Sequence, residues 1–175
     1  AYLHDHGRSL SLGYGLTLHV CDLAPKSRGR IFLRSPDPMA APGIAANYLG
    51  HPDDLPVLRS GLKIARTLLQ APALARHIVC ETLPGPQVTT DAQLDADIRA
   101  RAETIYHPVG TCRMGSDPAQ SVVDPDGRSH EIGNLWISDN STFPSALGVN
   151  PTLTIMALGL HTADRFLARL ARQEA

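Results

Sequence analysis

His107 is a side chain that can take up and release a proton, and Asn150 is one that can accept and donate hydrogen bonds at once. His107 stands in His107-Pro108-Val109-Gly110-Thr111-Cys112-Arg113-Met114-Gly115, a Gly-containing stretch that follows a helical pattern. An imidazole takes up and releases a proton near neutral pH, so it is a natural general base. Pro108 fixes the backbone after it, and Gly110 permits close approach to a flat neighbour. Read alone, the residue also suits a loop histidine bonded to a carbonyl. Asn150 precedes Pro151 and Thr152, where a long apolar stripe begins. It is placed to cap that helix, with Pro151 at the first helical position. Its side-chain oxygen can cap while its amide nitrogen stays free to donate.

A helix start presents unpaired N–H groups and a partial positive charge. Pro151 and Thr152 therefore sit where negative charge would be stabilised. Asp139 and Asn140 end the apolar run Leu135–Ser138, a place where Asp-Asn equally suits a plain turn. Other constellations carry less. His4-x-His6 lacks a third metal ligand, so no metal site is expected. Cys112, five residues after His107, has no third group to orient a nucleophilic pair, which leaves a cysteine hydrolase remote. Gly13-Tyr14-Gly15 lacks the third glycine and the following helix of a dinucleotide fingerprint.

The elements that must position these groups are legible in the spacing. Leu16, Leu18 and Val20 alternate with polar neighbours, which predicts a strand. After a turn at 25–29, Arg30–Arg34 alternates again, so the two are expected to pair as an antiparallel hairpin. Residues 35–52 read as an extended loop. Leu55, Leu58, Leu62, Ala65 and Leu69 predict a helix opened by Asp53 or Asp54 and stopped at Ala71-Pro72. Thr90-Asp91-Ala92-Gln93 predicts a capping box. The helix behind it has Leu94, Ile98, Ala102 and Ile105 on one face and a solvated polar side. Val122-Val123, the turn 124–127 and Arg128–His130 predict a short hairpin. A helix from Pro151 towards Arg172 is apolar nearly all round in its first turns. The order of elements points to α+β.

The bulk properties narrow the function. The 175 residues are 43% hydrophobic and 19% charged, with a formal net charge of −1. That is an ordinary globular composition with no bias towards nucleic acid. No apolar run approaches a transmembrane span, and no signal peptide opens the chain. Three isolated cysteines favour free thiols and a cytoplasmic setting.

The segments His107–Gly115 and Asn134–Thr154 (NLWISDNSTFPSALGVNPTLT) together resemble the glucose–methanol–choline (GMC) oxidoreductase family. Leu23–Pro36 (LAPKSRGRIFLRSP) and Asn47-Tyr48-Leu49 resemble it too. The resemblance implies an FAD-dependent enzyme that oxidises a primary alcohol to an aldehyde. It implies His107 as general base facing the flavin and Asn150 as the hydrogen-bond donor to the substrate oxygen. Asn at this position is similar to the choline-type branch. It also implies that Asp139 and Asn140 approach the ribityl–pyrophosphate part of FAD, partly through the backbone, and that Pro151 and Thr152 start a helix serving the reduced flavin.

Residues 1–133 would then belong to the substrate domain, with its antiparallel sheet, and residues 134–175 would return a strand and a helix to the FAD-binding domain. No G-x-G-x-x-G module occurs. The chain is therefore expected to be a partial one, inactive alone, lacking an N-terminal FAD-binding segment and prone to self-association. The competing reading is a stand-alone, flavin-free binding or structural domain. Aromatic content of 5% shows no quaternary-ammonium cage, so choline is not favoured over other primary alcohols.

Overall fold

The structure, a computed structural model, describes residues 14–173. The His4-x-His6 pair and Gly13 lie outside them. Among the described residues the architecture is α+β, with four helices and one small antiparallel sheet. It divides into two compact units.

One unit comprises the described residues up to Gly29 together with Ala46–Ile105. Helix α1 spans Asp54–Leu69, and Asp53 precedes it without a side-chain cap. Pro72 stops α1 and also opens a single turn, α2, at Pro72–Ala75. Helix α3 runs Asp91–Arg101 with the expected capping box. Gln93 N–H donates to Thr90 Oγ1 at 3.3 Å, and Thr90 N–H donates to Gln93 Oε1 at 3.0 Å. Its apolar face is shorter than the spacing predicted. Leu94 and Ile98 are buried with Leu55, but the chain turns extended at Ala102 and Ile105 is 54% exposed. Nor is the polar side wholly solvated. Arg59 of α1 donates to Asp95 at 2.6 Å, and Lys63 reaches Asp91 at 2.5 Å. The Lys63 hydrogen bond holds the Asp91 carboxyl below its ordinary range.

The expected pairing of Leu16–Cys21 with Arg30–Arg34 does not form. Residues 14–21 belong to no ladder among the described residues, and Val20 instead meets α1 at Gly61. A Cβ on Gly61 would lie 2.4 Å from Val20 Cγ1. Alternation marks an extended segment but does not name its partner. The segment 25–29 is fixed by α1. Asp54, buried at the helix start, accepts from the Lys26 amide at 2.8 Å, from the Ser27 amide at 2.9 Å and from the Ser27 hydroxyl. Burial alone would push this carboxyl up. The Ser27 hydroxyl and the two amides outweigh burial and hold it below its usual range. Arg66 of α1 clamps the following loop by pairing with Glu81 at 2.7 Å and donating to the carbonyls of Gly85 and Val88.

The other unit comprises Arg30–Ala45 and the residues from Tyr106 onward. Its sheet pairs β1, Arg30–Phe32, with β2, Gly43–Ala45, in register Arg30 with Ala45. The loop expected at 35–52 thus contains the true partner strand. Phe32 lies on Gly43, where a Cβ would come within 2.4 Å of the ring. The expected turn at 124–127 forms. Asp124 Oδ1 accepts from the amides of Asp126 and Arg128, and Gly127 takes φ +93°. Leu135–Ser138 contributes a single bridge, Arg128 with Trp136, rather than a strand. Helix α4, Thr152–Gln173, closes the chain. It holds the 124–137 region through Thr162 against Gly127, a Trp136–Phe166 edge contact at 5.6 Å, and Asp126 facing His161 at 3.6 Å and Arg165 at 3.4 Å. Val123, Thr142 and Phe143 are buried at its centre. No helix among the described residues is long and apolar enough to cross a membrane.

Candidate active site

All six residues singled out from the sequence fall in this second unit. The backbone leading to His107 is unusual. Tyr106 takes φ +63°, a left-handed conformation that bulky residues rarely adopt. Pro108 follows, and Gly110 takes φ +87°. The close neighbour Gly110 admits is the Phe143 carbonyl, 3.3 Å from where a Cβ would stand.

The His107–Gly115 segment is sewn onto residues 140–142. Asn140 Nδ2 donates to the Pro108 carbonyl at 2.6 Å. The Cys112 amide donates to the Ser141 carbonyl at 2.9 Å, and the Met114 amide to the Thr142 carbonyl at 2.7 Å. On its other side the segment bonds Val122 and Val123 through Arg113 and Gly115. The two sequence blocks are therefore neighbours in space. Asp139 shapes the join. Its carboxylate accepts from the Ser141 amide at 2.7 Å and caps a 3-10 turn at Asn140–Thr142.

Asn150 caps α4 from one residue further out than the spacing predicted. The helix begins at Thr152, and the Pro151 carbonyl accepts its first helical bond, from Ile155 at 2.8 Å. Asn150 Oδ1 accepts from the Thr152 amide at 3.2 Å and the Thr152 hydroxyl at 3.0 Å. Its Nδ2 makes no hydrogen bond among the described residues. Pro151 is buried, whereas His107 and Asn150 are exposed. No hydrogen bond joins His107 to Asn150 or to Cys112 among the described residues. A depression of this unit is lined by Arg113, Ser121 and Pro144 among others, and His107 does not line it.

Sequence spacing missed several groups. Asp54 and Arg66 bond partners far along the chain, and only Ser27 and Glu81 in space reveal them. A Ser121–His130 contact at 3.0 Å also escaped notice. It is a clasp and not a nucleophile–base pair. His130 Nε2 also lies 3.1 Å from the Gly115 carbonyl, and the Ser121 hydroxyl lies 2.6 Å from the Asp117 carbonyl. Two carbonyl acceptors assign the proton to Nε2, and such a nitrogen cannot serve as a base towards the hydroxyl.

Comparison with known proteins agrees with the motifs that carry this site. An alcohol dehydrogenase [acceptor] of Pseudomonas putida is 53% identical over 88% of this chain and 28% of its own length. Oxygen-dependent choline dehydrogenase 1 of Chromohalobacter salexigens is 38% identical over 94% of this chain and 30% of its own. The chain thus spans less than a third of these curated relatives. Among solved structures, pyridoxine 4-oxidase from Mesorbium loti superposes with a TM-score of 0.77 at 30% identity, covering 83% of this chain and 28% of that one. An FAD-dependent oxidoreductase from Chaetomium thermophilum gives 0.80 at 27% identity, covering 85% and 26%. Residues 25–159, including both motif blocks up to the first turns of α4, match the family model described as GMC oxidoreductase. The chain belongs to the GMC oxidoreductase family.

Proposed function

We propose that this chain is the C-terminal catalytic portion of an FAD-dependent enzyme that oxidises a primary alcohol to an aldehyde. The observation that carries the reading is the junction of the two blocks: the His107 loop is bonded directly to the 140–142 turn, in the same unit as the start of α4. The donor set fits a flavin. The Thr152 amide is capped by Asn150, while the amides of Leu153 and Thr154 have no acceptor among the described residues. Such a helix start suits a group that gathers negative charge on reduction.

When bound, FAD supplies the acceptor for the hydride that leaves the alcohol carbon. His107 takes the hydroxyl proton, as its exposed imidazole permits. Asn150 Nδ2 donates to the substrate oxygen and orients it. Thr152 and the first turn of α4 would present positive potential to the flavin. Asp139 and Asn140 would meet the cofactor, Asp139 through the carboxylate oxygen that the Ser141 amide leaves free.

Residues 1–133 belong in this reading to the substrate side, and residues 134–175 to the FAD-binding domain. The rest of the FAD site lies in a segment of the parent enzyme outside this chain. A cytoplasmic setting rests on the three free cysteines. The names of the two curated relatives, alcohol and choline dehydrogenase, support the alcohol class.

In the full-length enzyme, His107→Ala should lower steady-state alcohol oxidation by roughly two to four orders of magnitude while flavin stays bound. Near-native turnover would remove His107 from the mechanism. A full-length protein without flavin absorbance would favour the flavin-free binding domain instead.

A further inference from the structure

We propose that Asn140 is a positioning residue that sets His107 through the Pro108 carbonyl. The inference rests on the reading of His107 as the base. Nothing grips the His107 ring itself: it is exposed and has no hydrogen bond among the described residues. Its place is set by the backbone on either side. Before it, Tyr106 is held at φ +63°, and after it the Pro108 ring limits rotation. The first fixed point beyond His107 is the Pro108 carbonyl, held by Asn140 Nδ2 at 2.6 Å across 32 residues of chain.

The other bonds of this junction, from Cys112 and Met114, run backbone to backbone. Any residue can make those. Among the described residues the bond at Asn140 alone joins the two segments through a side chain, so it is open to substitution without removing a backbone bond. The acceptor is a carbonyl, so the amide nitrogen must face it. Without this bond the Pro108 peptide is free to rotate, and the imidazole moves with it. A displacement near 1 Å of a reacting group costs up to about a hundred-fold in rate.

The test uses the full-length flavin-loaded enzyme and the variants His107→Ala, Asn140→Ala and Asn140→Asp. Asn140→Ala should lower kcat per bound flavin by about ten- to a hundred-fold with KM within about two-fold. The carboxylate of Asn140→Asp repels the Pro108 carbonyl at neutral pH, but its protonated form donates to it. The ratio of this variant's rate to the wild-type rate should therefore rise as pH falls towards the carboxyl range, which a merely structural role would not produce. The NMR signal of the isotope-labelled His107 ring, assigned by its loss in His107→Ala, should shift in Asn140→Ala. Wild-type kcat and an unshifted ring signal in Asn140→Ala, with His107→Ala inactive, would overturn the positioning role alone. Full activity in His107→Ala would instead overturn the base. Should Asn140→Ala fail to retain flavin, a pH-independent Asn140→Asp ratio overturns the proposal and a rising one supports it.

Discussion

A helix that begins at Thr152 leaves the amides of its first turn without carbonyl partners, and Asn150 supplies one acceptor. Asn150→Ala removes that cap and should cost about 0.5–2 kcal/mol of stability. Asn150→Asp keeps an acceptor of the same shape but adds negative charge beside the helix start. Thermal melting of the full-length enzyme should leave Asn150→Asp close to wild type, while its anaerobic flavin reduction should slow. Equal reduction rates in wild type and Asn150→Asp would contradict the electrostatic role of this helix end. At this scale local chemistry was legible. Asn-Pro-Thr marks a helix start wherever it lands, and only the first residue differed by one position. Gly110 was legible as a close approach, but the Phe143 carbonyl it approaches is 33 residues away and leaves no trace in local spacing. The left-handed Tyr106 left none either, because no short-range rule asks for it.

The two helices α1 and α3 owe their joint packing to Leu55, Leu94 and Ile98, and their alignment to Arg59 and Lys63 facing Asp91 and Asp95. The periodicity and the capping box announced both helices, because the residues that decide them lie within a turn. The hairpin was misassigned for the opposite reason. Strands at 16–21 and 30–34 share a period, but the partner of Arg30–Phe32 is Gly43–Ala45, where Phe32 needs a residue without a Cβ opposite. Asp54 has the largest consequence among these elements. Asp54→Ala strands the Lys26 and Ser27 donors and should destabilise by about 1–3 kcal/mol, measured by urea unfolding of the full-length enzyme. The folded carboxyl titrates below its unfolded value. Its contribution is therefore fully present above about pH 4 and is lost as pH falls through the lowered folded value. The gap between wild type and Asp54→Ala should shrink on acidification within that window, and a gap unchanged at pH near 3 would remove Asp54 as its source. Arg66→Lys should loosen the 81–88 loop, because an ammonium cannot bond Glu81 and two carbonyls in one plane. Faster hydrogen exchange in that loop alone would show it.

Across the whole molecule, α4 carries an apolar stripe that the described residues leave open. Leu153, Met156, Leu160 and Leu167 are 60–78% exposed. Covering one such side chain gains roughly 1.5–3 kcal/mol, and soluble monomers rarely expose several together. The stripe was legible in the sequence as a helix apolar on nearly every side, whereas its cover was not, since the chain spans less than a third of its curated relatives. We propose that the rest of the FAD-binding domain covers it in the parent enzyme. The isolated 175-residue chain should then self-associate and bind no FAD, and light scattering with flavin titration checks both. A monodisperse monomer that binds FAD at micromolar concentration would contradict this. In the proposed reaction of the full-length enzyme, the central claim is that His107 accepts the substrate proton. The most direct measurement is the rate of anaerobic flavin reduction by excess alcohol from about pH 5 to about pH 9, in wild type and His107→Ala. In wild type the rate should rise with pH to a plateau as one group loses its proton. In His107→Ala the rate should be lower by roughly two to four orders of magnitude and the rising limb should be gone. The same limb and plateau in both proteins would contradict the account.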